Sequence, residues 1–543
     1  MLGAELMYHL ANVAILTAAV AMLVLWRYRV AVLDGMRTTG GASLPVPPPS
    51  GADQMSSAIE AARARLASPP GPTTALAWEK SARRRLGAVY LLSVGLAALV
   101  LSLVYFRQGD MRLSLSSLVA EVSITLSAAV PMIAVTLATP FWRALRYWLL
   151  LLVVGAVAAM LLGLVQRAML GKAPTLQVLT LAGYFAGLAA TQLWEPFLLL
   201  LATGAKKLRG VAPITFAGLL VFGLAPLVGS KLTQAIAATE SGGAWMLRLG
   251  LNGVFVLVAL PVAYLAWWRL RSLAEAYEKK RFSDAQLLAR TWWLMFVAVT
   301  GIELISVAPN PLWSFVGCAV AYAMFAPLNQ FCLARAGLER DRPVPRTLLV
   351  LRVFGYQSRT ERLFDRVVAR WRLFGPVTMI AAPDVIARTV DPAEFLGFVS
   401  GRVADSFVRS QPDLDARLKN LDLAPDPDGR YRMSEFCCQD DTWQATVVAL
   451  MQRADAVIMD VRGVTVERRG CEYELQQLAA RLSPGKVVLV TDQTTDQGVI
   501  VQATAGRSAE MRLVTVERNS VVETNRLFES LLEAAFPPAG MKP

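Results

Sequence analysis

Histidine is all but missing from this chain: His9 is the one copy in 543 residues. Cysteine is scarce, with Cys318, Cys332, Cys437, Cys438 and Cys471 and no Cys-x-x-Cys pair. A structural zinc site draws on several such ligands at regular spacing, so this inventory argues against one. Five thiols are also too few for a disulfide scaffold of this length, and the adjacent Cys437 and Cys438 read as small, reduced, buried residues. The N-terminal flank MLGAEL has no basic residue, whereas Arg27 and Arg29 follow the first apolar run. A cleavable signal has the opposite order, so the first run is expected to be an uncleaved anchor. No internal repeat of the kind many secondary transporters carry is visible. The C-terminal part lacks a charge excess. Residues 344–543 hold 25 basic and 26 acidic residues, whereas residues 1–343 hold 29 and 15. A nucleic-acid-binding reading needs a basic soluble domain and is excluded on that ground.

What is abundant is apolar sequence, 55% of the chain. It comes in long runs, and a transmembrane helix needs about 20 apolar residues. Nine candidate spans follow: roughly 6–26, 86–106, 119–140, 148–166, 175–203, 212–230, 248–268, 291–308 and 311–333. Lys and Arg accumulate on the cytoplasmic side of such proteins. The 27–85 loop carries Arg27, Arg29, Arg37, Arg63, Arg65, Lys80 and Arg83 to Arg85, and the loop before residue 291 holds Arg269, Arg271, Lys279, Lys280, Arg281 and Arg290. The alternate loops are poorer. The expectation is a multi-pass protein, of the bacterial inner-membrane kind, with its N-terminus outside and its C-terminal domain in the cytoplasm. The basic excess then belongs to loops facing anionic headgroups. Residues 1–26 form the anchor, 27–85 a cytosolic linker with PVPPPS and SPPGP, 86–340 the polytopic domain, and 344–543 a soluble domain. Glu121, Glu195 and Glu303 lie within spans. Glu195, beside Pro196, fits a cation or proton site at a kinked helix or, equally simply, an interhelical hydrogen bond.

From residue 347 strands alternate with helices. The segments 348–354, 377–383, 456–461, 487–492 and 512–517 read as five strands. An amphipathic helix is expected over 358–374, stopped by Gly375-Pro376. A second is expected from Asp391, an N-cap before Pro392, to about Ser410. YRMSEFCC at 431–438 reads as an extended segment. Near-continuous apolar strands separated by helices imply a doubly wound parallel sheet covered on both faces.

Open α/β sheets hold ligands beyond the C-terminal ends of their strands. Asp384, Asp460 and Asp492 follow or end three strands there, and Glu474 falls in the first turns of the helix after Asp460. Glu474 is expected on an exposed rim. Gly463 and Gly470 bound the intervening loop and leave room for backbone to approach a ligand. Arg352, Arg359 and Arg362, around the first strand-to-helix loop, are candidates for phosphate. Each has a plainer role: an early helical acid suits the dipole, an Asp after a strand is often a turn or cap, and Arg362 fits a solvated face. Glu474 and Asp460 are the candidate catalytic pair, with Arg352, Arg359, Asp384, Gly463, Gly470 and Asp492 as candidate binding residues.

Strand, acid, glycine and then GCEYEL (470–475) resembles the Cys-x-x-Glu-Leu segment of TIR domains, and VFGYQSRTERLFDRVVARW (353–371) is similar to their opening strand, loop and helix. The same arrangement also resembles nucleoside 2-deoxyribosyltransferases. The resemblance implies a flavodoxin-like sheet and action at an N-glycosidic bond of NAD, a nucleoside or a nucleotide, with Glu474 as the catalytic carboxylate. No cofactor is implied beyond NAD or a nucleotide as substrate. The chain departs from the TIR pattern at Asp460, where Ser is common, and by an insertion at about 411–440. In a carboxylate's favour, cleaving a ribosyl bond develops oxocarbenium charge that it can stabilise or trap, with Asp460 orienting the sugar or handling a proton. Two alternatives stand beside an enzyme: a signalling module in which ligand or membrane state changes self-association into a homo-oligomer, and a transporter with a regulatory cytosolic domain.

Overall fold

The apolar runs form long helices because side chains of 20 or more residues offer no polar face to break the ladder, and in lipid every backbone group must pair within its own segment. The structure, a computed structural model, describes residues 71–108, 115–137, 141–171, 275–307, 311–352, 357–381, 407–439 and 441–537, with scattered positions between 19 and 46 and between 244 and 272. It divides into two compact units. One comprises Met1–Leu25, Arg85–Gly337 and Thr389–Leu396, and the other Trp26–Arg84, Leu338–Arg388 and Gly397–Pro543.

The helical unit is built on α1 (Pro72–Gln108, from Arg85 onward), α2 (Leu115–Thr136), α3 (Phe141–Met169), α4 (Asp284–Val307) and α5 (Pro311–Arg335). Among the described residues, four stretches are long and apolar enough to cross a membrane: Pro72–Val104, Leu115–Ala134, Leu145–Met169 and Trp313–Arg335. This is fewer than the nine spans expected. The 175–203 and 212–230 spans, with Glu195 and Pro196, lie outside the described residues, as do most of 6–26 and 248–268. The 291–308 run is helical within α4 but is not among the four. The unit's core joins Tyr90, Val94 and Leu101 of α1 to Met132 of α2, the stacked Trp292, Trp293 and Phe296 of α4, and Phe325 of α5. Outward, α3 presents Leu149, Leu150, Val153, Val154, Val157 and Leu161. An apolar face that wide fits lipid rather than water.

Several buried polar groups of this unit are neutral and paired with one another. Ser283 N–H donates to Gln286 Oε1 at 2.9 Å, Gln286 Nε2 to Asn329 Oδ1 at 2.8 Å, and Asn329 Nδ2 to Ser93 Oγ at 3.2 Å. The chain of bonds ties α4, α5 and α1 together.

Among its described residues, the α/β unit holds a seven-stranded, all-parallel sheet in the order β3-β4-β2-β1-β5-β6-β7. The strands are β1 (Leu348–Arg352), β2 (Val377–Ala381), β3 (Phe407–Val408), β4 (Met433–Cys438), β5 (Ala456–Asp460), β6 (Val487–Thr491) and β7 (Arg512–Thr515). Five match the expected segments. The count of five is corrected to seven by β4, within the extended 431–438 segment, and by β3. The latter also corrects the helix expected to reach Ser410, since Phe407 and Val408 pair with Cys437 and Cys438. The helices are α6 (Gln357–Trp371), α7 (Gln411–Lys419), α8 (Trp443–Met451), α9 (Arg469–Arg481), α10 (Gln497–Ala503) and α11 (Val521–Ala535).

Strand alternation sends side chains to both faces. Leu349, Leu351, Val457, Met459, Val487 and Leu489 share one cluster with α8, α9 and α10. Trp371 at the end of α6, Phe374 just beyond it and Phe528 of α11 meet tilted or edge-on, with ring centroids 5.9 to 6.5 Å apart. Between α6 and β2 the chain needs Gly375, where a Cβ would run into the backbone of Arg346. The chain steps outward from β1 through β2, then returns to the other side of β1 with β5. That reversal is the topological switch point, where such sheets open a crevice.

Candidate functional site

At the C-terminal end of the switch point, Arg352 of β1 and Asp460 of β5 stand opposite each other in register. Arg359 lies in the first turn of α6 and Arg362 one turn on. Asp384 lies outside the described residues.

Asp460 is 1% exposed and engaged. Its Oδ1 accepts Arg462 N–H at 3.1 Å and Nε at 2.8 Å, and its Oδ2 accepts Nη2 at 2.8 Å. Arg462, equally buried, also donates Nη1 to Val516 O at 3.3 Å and to Asn519 Oδ1 at 3.1 Å. Burial alone would lower the Arg462 pKa, but Asp460, with Asp492 and Glu523 farther out, outweighs it and holds the guanidinium above its ordinary value. A buried pair of this geometry is satisfied within itself. Arg462 was not among the residues singled out from sequence. The signal was present: leaving a strand, residues two apart face the same side.

Asp492 shapes its own turn. Its Oδ1 accepts Thr494 N–H at 2.9 Å and Thr494 Oγ1 at 2.6 Å, shaping the turn after β6. Gly463 sits at φ 68° in a turn closed by Val464 N–H to Val461 O at 3.1 Å. A side chain there would be strained. At Gly470 a Cβ would meet nothing closer than Trp443, 4.0 Å away, so this position is open.

Glu474 differs from all of these. It stands in the second turn of α9, on the stripe of Cys471, Leu475 and Leu478 that faces the sheet. Only 4% of it is exposed, which corrects the expectation of an exposed rim acid. Its Oε2 is sealed from solvent and accepts no hydrogen bond among the described residues. Burial pushes its carboxyl up to about 8, with no charged neighbour contributing. At neutral pH it is therefore mostly a neutral acid. Beside it, Tyr473 meets Trp443 edge-on at 5.3 Å, and burial raises its phenol pKa above the ordinary value.

The structure thus brings Asp460, Arg462 and Asn519 together and leaves Glu474 apart on α9. Met459 and Val461 belong to the cluster that α9 covers, so Asp460 between them faces the other side of the sheet. Among the described residues no three His, Cys, Asp or Glu side chains gather. All five cysteines are buried thiols outside any disulfide, and burial pushes Cys438 up to about 11. No protein-family model, curated protein or solved structure matches this chain.

Proposed function

We propose that this membrane protein uses its α/β unit to bind a nucleotide-type small molecule at the switch-point crevice, and that Glu474 cleaves an N-glycosidic bond of that ligand. The carrying observation is Glu474 Oε2, buried on α9 and without a hydrogen-bond partner among the described residues. Burying a polar group without a hydrogen bond costs about 1–3 kcal/mol, and groups kept at such a cost cluster at functional sites. The resemblance of GCEYEL to an N-glycosidase segment gives that carboxyl a reaction.

The chemistry splits by substrate. With a nucleoside, the protonated acid gives its proton to the departing base as the C1′–N bond breaks. The carboxylate left behind then faces the oxocarbenium until water adds, and the proton water releases returns to Glu474. With NAD, the pyridinium supplies the positive partner the carboxyl lacks, so binding itself ionises it, and nicotinamide leaves without a proton. Nucleoside cleavage should therefore fall above about pH 8, whereas NAD cleavage should rise toward it. Basic loops favour placing the crevice in the cytoplasm, where these substrates are found.

The test uses the full chain in lipid nanodiscs, supplied with NAD and with nucleosides, alongside Glu474→Gln. Turnover by the native protein and its loss by orders of magnitude in the variant are expected. Equal turnover in both would sink the assignment. Binding without turnover would leave the signalling-module reading, which the self-contained Asp460–Arg462 pair favours.

A further inference from the structure

The first turns of α1, up to Arg84, belong to the α/β unit. There Glu79 is 1% exposed. Its two oxygens accept Nε and Nη2 of Arg370 on α6, each at 3.1 Å. Arg370 spends its remaining arm on Asn525 Oδ1 at 2.9 Å and lies 3.8 Å from the centre of the Phe528 ring. Trp78 donates to Arg340 O at 3.2 Å and meets Phe374 edge-on at 5.5 Å. With Ala75 and Ala82 buried alongside, one stripe of α1 is set into this unit. One turn back along α6, Arg366 donates Nη1 to Asn519 O at 2.9 Å. Asn519 is the residue whose Oδ1 receives Arg462, the partner of Asp460.

We propose that these contacts form a polar relay through which Glu79 positions the Asp460–Arg462 pair at the end of β5. Asn519 is the joint of the relay, left-handed at φ 52°, a conformation that asparagine tolerates. Arg366 and Arg462 grip it from two sides. Arg366 and Arg370 sit four apart on α6, so removing the charge that anchors Arg370 loosens the helix that carries the other grip. Glu79 is a positioning residue. The relay rests on the reading above only for what the crevice binds.

The test is hydrogen exchange on the full chain in nanodiscs, without ligand. In Glu79→Gln, amides at 516–520 and 460–464 should exchange about tenfold faster, equal to about 1.4 kcal/mol, while those of β6 stay unchanged. Arg370→Lys should do the same, since an ammonium cannot hold a carboxylate with a two-toothed grip. Faster exchange confined to 75–84 and 366–374 would overturn the relay. Should Glu79→Gln fail to fold, Asn519→Gly replaces it: it removes the Oδ1 that accepts from Arg462 and should by itself loosen 460–464. Arg370→Lys added to it should then change 460–464 no further, and additive effects would overturn the relay. Unchanged NAD affinity alongside the loosened loops would overturn the crevice as the binding site and leave the relay standing.

Discussion

The two units differ in the charge of the polar groups they bury. In the helical unit the buried chain from Ser283 through Gln286 and Asn329 to Ser93 is uncharged from end to end. In the α/β unit the buried polar groups include ion pairs: Arg462 with Asp460, Arg370 with Glu79, Arg432 with Asp426 and Arg430 with Asp428. A neutral network costs little to remove from water and leaves no net field. A charged pair is held together far more strongly and fails badly when one member goes. Against both patterns, Glu474 is a buried acid whose Oε2 finds no hydrogen-bond partner among the described residues. It escapes by staying protonated.

The contrast can be broken by substitution. The largest effect belongs to Arg462→Met, which leaves Asp460 buried and unpartnered. Unfolding of the variant, followed by hydrogen exchange at β5, should show a loss of about 3–5 kcal/mol; a loss under 1 kcal/mol would mean water reaches Asp460. Next comes Glu474→Gln, with the opposite sign. The carboxyl's pKa is 4.5 ordinarily and about 8 in the fold. Between those values the folded chain binds the proton and the unfolded chain has released it, so native stability falls as pH rises through that window. At pH 8 the variant should be the more stable protein by up to a few kcal/mol, with little difference at pH 4. A native protein whose stability does not decline from pH 5 to 8 would show that Glu474 finds a partner.

Asn329→Leu should be smaller, about 1 kcal/mol, in keeping with single hydrogen bonds between membrane helices. A loss as large as that of Arg462→Met would erase the distinction between the units. Smallest of all is Arg512→Ala. Its pair with Glu533 is 2.6 Å long but half open to water, and such pairs contribute under about 1 kcal/mol, less in high salt.

These differences also mark what could be read from residue order. Strands β1, β5 and β6 are unbroken apolar runs buried on both faces, so LLVLR, AVIMD and VVLVT announce themselves. Phe407–Val408 is too short to show any period, and β4 begins with the mixed MSE. At the site, the placement of Glu474 one turn into α9 followed from the strand-loop-helix pattern. Its burial did not, because a charged letter reads as solvated until its neighbours in space are known. Asp460 looked free for the same reason: its partner is fixed by how the chain leaves β5. The role of Arg370 needed α1, a segment whose sequence reads as the approach to a span.

One feature of the sheet bears on how the chain is made. Strand β1 sits at the centre, yet its partner on one side, β5, follows roughly a hundred residues later. During synthesis β1 and β2 can pair early, with Leu348 against Val377. The other edge of β1 must then wait, apolar and unpaired, until Ala456–Asp460 has emerged. An open edge of that composition invites wrong pairing. Slowing translation within 382–455 should lengthen that exposure and lower the yield of folded protein, whereas a pause after β7 should do no harm.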